Sequence, residues 1–192
     1  GVLMADFNNN GYKEIFITNG IFKDLMDQDY LNFYSNSEEI KQTYREKRTI
    51  IKDLIDLMPS VPLINPLFSY SSNMQYQEVS EEWGIGHPGF STGSAYGDLD
   101  NDGDLDLVVS NINMAPFLYR NKTSENSNNH FLNVSLTSKT RNRFAIGSQV
   151  TLWVGEQQYF QELYPIRGSM STVDNRLHFG LGAHDRIDSL EV

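Results

Sequence analysis

Five aspartates stand in nine positions at residues 98–106, inside the stretch "YGDLDNDGDLDLVVSN" and directly before an apolar run. Carboxylates at that density repel one another, so a folded chain gains by holding a cation among them. The spacing says which kind. Asp98, Asp100 and Asp102 occupy positions 1, 3 and 5, Gly103 position 6, Asp104 position 7 and Asp106 position 9. A calcium ion takes about six to eight hard oxygens, and alternate carboxylates on a tight turn converge on one point. Gly103 lets the backbone turn sharply. Asp104 is expected to offer its main-chain carbonyl, with its side chain toward solvent. An EF-hand is excluded: its twelfth position needs a bidentate glutamate before a helix, whereas here Val109 lies in the β-branched run "LDLVVSN".

A second stretch repeats the pattern. "DFNNNGYKE" puts Asp6, Asn8, Asn10, Gly11 and Glu14 at positions 1, 3, 5, 6 and 9, with Tyr12 supplying the carbonyl at position 7. It too runs into a strand-like segment, "IFITNG". Side-chain charge at the ligand positions is −2 here (Asp6, Glu14) and −4 in the other loop (Asp98, Asp100, Asp102, Asp106). Affinity rises with ligand charge, so the loop at Asp98 is expected to bind calcium more tightly. The competing reading of the first loop is a neutral Asn-rich turn closed by its own hydrogen bonds.

The elements around these loops fall into three regions. Residues 1–21 read as loop then strand. Residues 22–58 lack Gly and Pro and place Ile40, Tyr44, Ile51, Leu54, Ile55 and Met58 near helical spacing before Pro59, which predicts a helical pair broken near "SNSEE". Its basic side chains (Lys41, Arg45, Lys47, Arg48, Lys52) read as a solvated face. From residue 60 onward the pattern is β: "LFSYSS", "MQYQEVS", a glycine-rich loop "GIGHPGFSTG", then "LDLVVSN" and "FLYRN". A polar linker, "SENSNN" at 124–129, separates these from "HFLNVSL", "SQVTLWV", "QYFQEL", "RLHFGLG" and "DSLEV". Leu132, Val134 and Leu136, and again Val150, Leu152 and Val154, alternate with other residues, which predicts strands with one buried face in a small antiparallel sandwich or barrel. The two acidic loops start 92 residues apart (98 − 6), and removing 37 residues of helical insert (22–58) leaves 55. That spacing fits one propeller blade carrying an insertion.

Composition narrows the partners. The 192 residues carry a formal net charge of −10, which disfavours nucleic-acid phosphates. No cysteine is present, so neither disulfides nor a thiolate metal site can form. No apolar run reaches the ~18 residues of a membrane span, and residues 1–21 lack a signal-peptide pattern. The chain opens on Gly1 and ends on "DSLEV", and is read as part of a longer protein. Catalytic signatures are missing. His87, His130, His178 and His184 are scattered without ligand spacing, and no nucleophile elbow or phosphate loop occurs. His178 reads as a packed or hydrogen-bonded residue. Glu78, Glu81 and Glu82 leave a paired-carboxylate enzyme open. Trp83, Tyr70, Tyr76 and Phe90 are read as core aromatics before a glycan-binding set. "NKT" at 121 and "NVS" at 133 match glycosylation acceptors.

"DFNNNGYKE" and "DLDNDGDLD" resemble the calcium loops of FG-GAP (VCBS) repeats, the blades of integrin-α-type β-propellers. "NNHFLNVSL", "NRFAIGSQVTLWVG", "QELYPIRGSMSTVDNRLHFGLG" and "IDSLEV" resemble the ASPIC/UnbV domain that follows such repeats in cartilage acidic protein-like and bacterial envelope proteins. The resemblance stops after "IDSLEV", where the family continues. It implies a mainly β chain: propeller blade elements over 1–123 with a helical insertion at about 22–58, then a β-domain over 130–192. It further implies calcium as a structural ion rather than a catalyst, an extracellular or cell-surface location, and an extracellular protein or glycan partner. The expected function is a non-catalytic calcium-binding recognition or adhesion module. The rival is an accessory or catalytic domain of a secreted carbohydrate-active or biosynthetic enzyme.

Overall fold

A computed structural model describes residues 1–36, 38, 55, 56, 58–71, 73, 75–168 and 171–192. The chain is mainly β, built of small antiparallel sheets. β1 (Val2–Ala5) and β2 (Glu14–Ile17) form a hairpin across the first loop, in register Leu3 to Phe16 and Ala5 to Glu14. β4 (Leu67–Ser71) and β5 (Gln75–Glu78) extend it to a four-stranded sheet, ordered β1-β2-β4-β5, while β3 (Leu63–Ile64) pairs instead with β6 (Pro88–Gly89). β7 (Ser91–Gly97), β8 (Asp106–Asn111) and β9 (Phe117–Tyr119) form a three-stranded sheet. Each acidic loop therefore joins the first and second strands of its own sheet. Leu3, Phe7, Phe16, Leu67, Leu107 and Val109 bury together as one core, because alternate residues of each strand point to the same side.

The helical expectation is met in part. α1 spans Gln28–Asn36, and Asp27 caps it by accepting the backbone N–H of Tyr30 at 2.8 Å. The insert closes on itself: Asp24 N donates to Pro59 O at 3.0 Å, and the Lys23 ammonium donates to the Met58 carbonyl at 3.1 Å. Ile55 is exposed and Met58 half-buried, whereas Ile40, Tyr44, Ile51 and Leu54, with the basic residues Lys41, Arg45, Lys47, Arg48 and Lys52, lie outside the described residues.

Two local expectations change. "GIGHPGFSTG" is not simply a loop, since it holds β6 and the start of β7. Its glycines serve close packing: a Cβ on Gly89 would stand 2.9 Å from the Phe117 ring. The linker at 124–129 overlaps a single helical turn, α2 (Thr123–Asn126), and its Asn129 amide donates to the Asn8 carbonyl at 2.8 Å.

Beyond it, β10 (His130–Val134) pairs with β13 (Leu177–Gly182), and β11 (Gln149–Val154) lies between β12 (Gln157–Glu162) and β14 (Ser189–Glu191). Val150, Leu152 and Val154 are buried in alternation, as their spacing predicts, and form a second core with Leu163, Leu177 and Phe179. Leu132, Val134 and Leu136 are half-buried against it.

Candidate metal centre

The loop from β7 to β8 turns through two left-handed residues, Asn101 (φ +61°) and Gly103 (φ +90°). The turn brings one carboxylate oxygen each of Asp98, Asp100 and Asp102 within 4.8 Å of one another. Asp98 is only 9% exposed, yet its Oδ1 is buried with no hydrogen-bond partner. Such a group costs free energy unless a cation or a donor satisfies it. Asp102 Oδ1 accepts the Asp104 N–H at 3.0 Å. The buried Asp106 carboxylate accepts the Leu99 N–H at 3.1 Å and the Asn121 N–H at 2.8 Å, so it ties the loop's start and the segment after β9 to the foot of β8. Arg120 pairs with two of these carboxylates: its Nε is 2.9 Å from Asp100 and an Nη 3.6 Å from Asp102.

Asp104 departs from expectation. Its side chain does not face solvent but is fully buried, with Oδ1 accepting from the Asn9 amide at 3.0 Å and Oδ2 from the Ser124 N–H at 2.6 Å. Burial pushes its carboxyl pKa up, and donation from Ser124 opposes this. Position 7 has its side chain turned inward because two donors wait there, one from the first loop and one from α2.

The first loop is built differently. Asp6 accepts the N–H groups of Asn10 (3.1 Å) and Gly11 (2.8 Å), Asn8 Oδ1 accepts that of Asn10 (3.1 Å), and Asn10 Oδ1 that of Tyr12 (2.8 Å). Glu14, with 0% exposure, accepts from the Phe7 N–H (2.8 Å), the Asn8 amide (3.1 Å) and the Ser69 hydroxyl (3.1 Å). Burial raises the Asp6 pKa to about 6 and that of Glu14 to about 7, against the pull of these donors. The Tyr12 ring leaves the loop and stacks on Tyr70 at 4.4 Å.

Both loops press against the C-terminal strands. Asn9 (φ +57°, 1% exposed) donates to Asp104, and its Oδ1 accepts from Nε2 of the buried His178 at 2.6 Å. The other ring nitrogen of His178 lies 2.8 Å from the Asn133 side chain, and its ring stacks on Phe131 at 5.7 Å. Burial, then the charge of Arg176, lowers the His178 pKa to about 4. Sequence reasoning passes over Asn9 and Arg120, whereas His178 is packed and hydrogen-bonded, as its setting in "RLHFGLG" suggests. One signal was available: asparagine occupies position 4 of both loops, Asn9 and Asn101, where the left-handed backbone favours it.

Other candidate residues disperse. Phe90 is buried with Phe22 edge-on at 4.9 Å, Tyr70 and Tyr76 meet at 5.7 Å beside Tyr12, and Trp83 stands apart on the turn after β5. Glu78, Glu81, Glu82, His87, His130 and His184 are exposed. The Asn121 amide is engaged, donating to the Phe7 carbonyl at 2.6 Å, and Asn133 faces His178, so neither side chain is free to carry a glycan. Among the described residues no helix is long and apolar enough to cross a membrane.

The paired C-terminal sheets thus define a small antiparallel β-domain against which an acidic turn is seated. The family model described as "ASPIC and UnbV" matches residues 138–192, within the segment whose motifs carry that resemblance. No curated protein matches the chain.

Proposed function

We propose that the chain is a calcium-stabilised, non-catalytic recognition or adhesion segment of an extracellular or cell-surface protein. In this reading the sheets β1-β2-β4-β5 and β7-β8-β9 are propeller blade elements of FG-GAP type, the first carrying the helical insertion. The observation that carries the proposal is Oδ1 of the Asp98 carboxylate, buried without a partner beside Asp100 and Asp102. Asp98, Asp100 and Asp102, with the Asp104 carbonyl, supply an all-oxygen donor set suited to calcium, which Asp106 joins only through an oxygen that already accepts an N–H group. When bound, the ion offsets carboxylate repulsion and fixes the β7–β8 hairpin. The first loop, with Asp6, Asn8, Asn10, Tyr12 and Glu14, is the weaker site, because its oxygens already accept N–H groups of the same turn. For recognition, a groove of about 700 Å³ offers Trp83, Leu118 and Tyr119 beside Arg120 and Lys122, a surface suited to an extracellular protein or glycan.

Calcium calorimetry and thermal melting of the chain with Asp102→Ala test the reading. The wild type binds calcium and melts higher in it; the variant melts lower than wild type in calcium and within ~1 °C of it in chelator. Equal losses in both buffers sink the metal site. A protein and glycan binding screen with and without chelator then addresses the partner.

A further inference from the structure

The calcium loop does not stand alone at its end of the β7-β8-β9 sheet. Three of its backbone or side-chain groups are held by the C-terminal strands or through the first loop. The Asp98 carbonyl accepts from Arg176 Nη2 at 3.4 Å. Gly103 lies so close to Phe131 of β10 that a Cβ there would stand 1.9 Å from the ring. Asp104 is gripped by Asn9, whose amide nitrogen also approaches the Gly103 carbonyl at 3.5 Å. Asn9 in turn is oriented from β13: His178 Nε2 donates to its Oδ1, and the Gly182 N–H donates to its main-chain carbonyl at 2.8 Å. With its oxygen facing a donor ring nitrogen, the Asn9 amide can direct its NH₂ only toward Asp104.

The contacts on the first loop are as tight. A Cβ on Gly180 would stand 2.0 Å from Asp6 Oδ2 and 2.7 Å from Asn9, so β13 seats directly on that loop. The acidic turn, the Asn-rich turn and the β10–β13 pair therefore form one packed polar joint.

Resting on the calcium reading above, we infer that Asn9 and His178 are positioning residues for the Asp98 site. They hold the Gly103–Asp104 segment in ligating geometry, and calcium in turn fastens the C-terminal domain to the loops. Coupling between binding events is reciprocal: if docking improves calcium affinity, calcium must improve docking by the same factor. Neither residue offers an atom to the ion, so any effect on affinity passes through the joint. A lost buried hydrogen bond of this kind corresponds to about fivefold in affinity.

The test uses the full chain and calcium alone as probe. Calcium affinity is measured by calorimetry for the wild type, Asn9→Gly and His178→Gln, and amide hydrogen exchange of β10 and β13 is followed with and without calcium. Asn9→Gly keeps the left-handed backbone while removing the side chain, and it decides the matter if His178→Gln fails to fold. Affinity about fivefold weaker in the variants, together with calcium-dependent protection of β10 and β13 that the variants lose, supports the joint. A wild type that binds calcium, with variants of unchanged affinity or with β10 and β13 exchange indifferent to the ion, overturns it. A wild type that binds no calcium refutes the calcium reading itself, and this inference with it.

Discussion

Replacing Asp98 with asparagine pits two effects of opposite sign against each other. The Asp98 side chain is 9% exposed and one of its oxygens has no partner, so without a cation it is an uncompensated charge in a nearly closed setting. An ionised group buried in this way costs several kcal/mol, and a neutral amide in its place about 1–3 kcal/mol. Asp98→Asn is therefore expected to stabilise the chain in chelator by about 2 kcal/mol, a rise of about 5 °C for a chain of this size. In calcium the balance changes. Wild type gains about 2.7 kcal/mol at an ion concentration of 100 times Kd, while the variant, with ligand charge cut from −4 to −3 and its unpaired buried ligand neutralised, gains little. The variant's lead in chelator thus disappears in calcium. Melting curves of both proteins in chelator and in millimolar calcium, with calorimetry for Kd, read this directly. A variant destabilised equally in both buffers would mean that Asp98 acts as an ordinary acceptor, and the argument from its unpaired oxygen would be refuted.

Two further outcomes follow from other parts of the joint. In chelator, Asp6 and Glu14 have folded-state pKa values raised to about 6 and about 7 from ordinary values of 3.8 and 4.5. Their contribution to stability is thus complete below the ordinary values and lost as pH rises through the raised ones. His178, lowered from 6.5 to about 4, works oppositely, its contribution present above pH 6.5 and lost as pH falls toward 4. Glu14→Gln should flatten or reverse the decline in melting temperature between pH 5 and about 7.5, and an unchanged slope counts against a buried, proton-holding Glu14. Gly103→Ala, at φ +90° and with its Cβ driven into Phe131, should cost about 3 kcal/mol in urea unfolding; Phe131→Ala added to it should recover the steric part, and a loss under about 1 kcal/mol for the single variant would show that the joint yields freely.

How much of this was legible in the sequence depends on the range of the interaction. The convergence of Asp98, Asp100 and Asp102 was readable because alternate carboxylates around a glycine are a local pattern, and so was the alternation of Val150, Leu152 and Val154. The strand β6 within "GIGHPGFSTG" was not, because glycine is admitted there by Phe117 and Asn111, which lie in other strands. Asp104 was misassigned for the same reason. Nothing within six residues of it says that Asn9 donates to it from 95 positions away. Arg120 was invisible as a counter-charge because its reach to Asp100 and Asp102 depends on β9 running back beside β8.

The contrast between the two loops explains why one motif can serve two physical ends. In the first, amide oxygens and backbone N–H groups satisfy each other, and the two carboxyls, deeply buried, are moved toward their neutral forms. That turn is closed by its own hydrogen bonds. In the second, aspartates replace Asn8 and Asn10 at positions 3 and 5, and a carboxylate cannot donate as an amide can. Asn8 donates to Glu14 across the first loop; Asp100 has no such donor to give Asp106, and turns outward to Arg120 instead. Exchanging two amides for two carboxylates thus removes the donor that reaches position 9, while Asp98, unlike Asp6 with its two backbone N–H donors, keeps one buried oxygen unpaired. On the calcium reading proposed above, the second turn closes around a cation where the first closes on its own donors. Because Asp104 and Gly103 of that turn carry the contacts to Asn9 and Phe131, any ion dependence of the turn passes to the joint it supports.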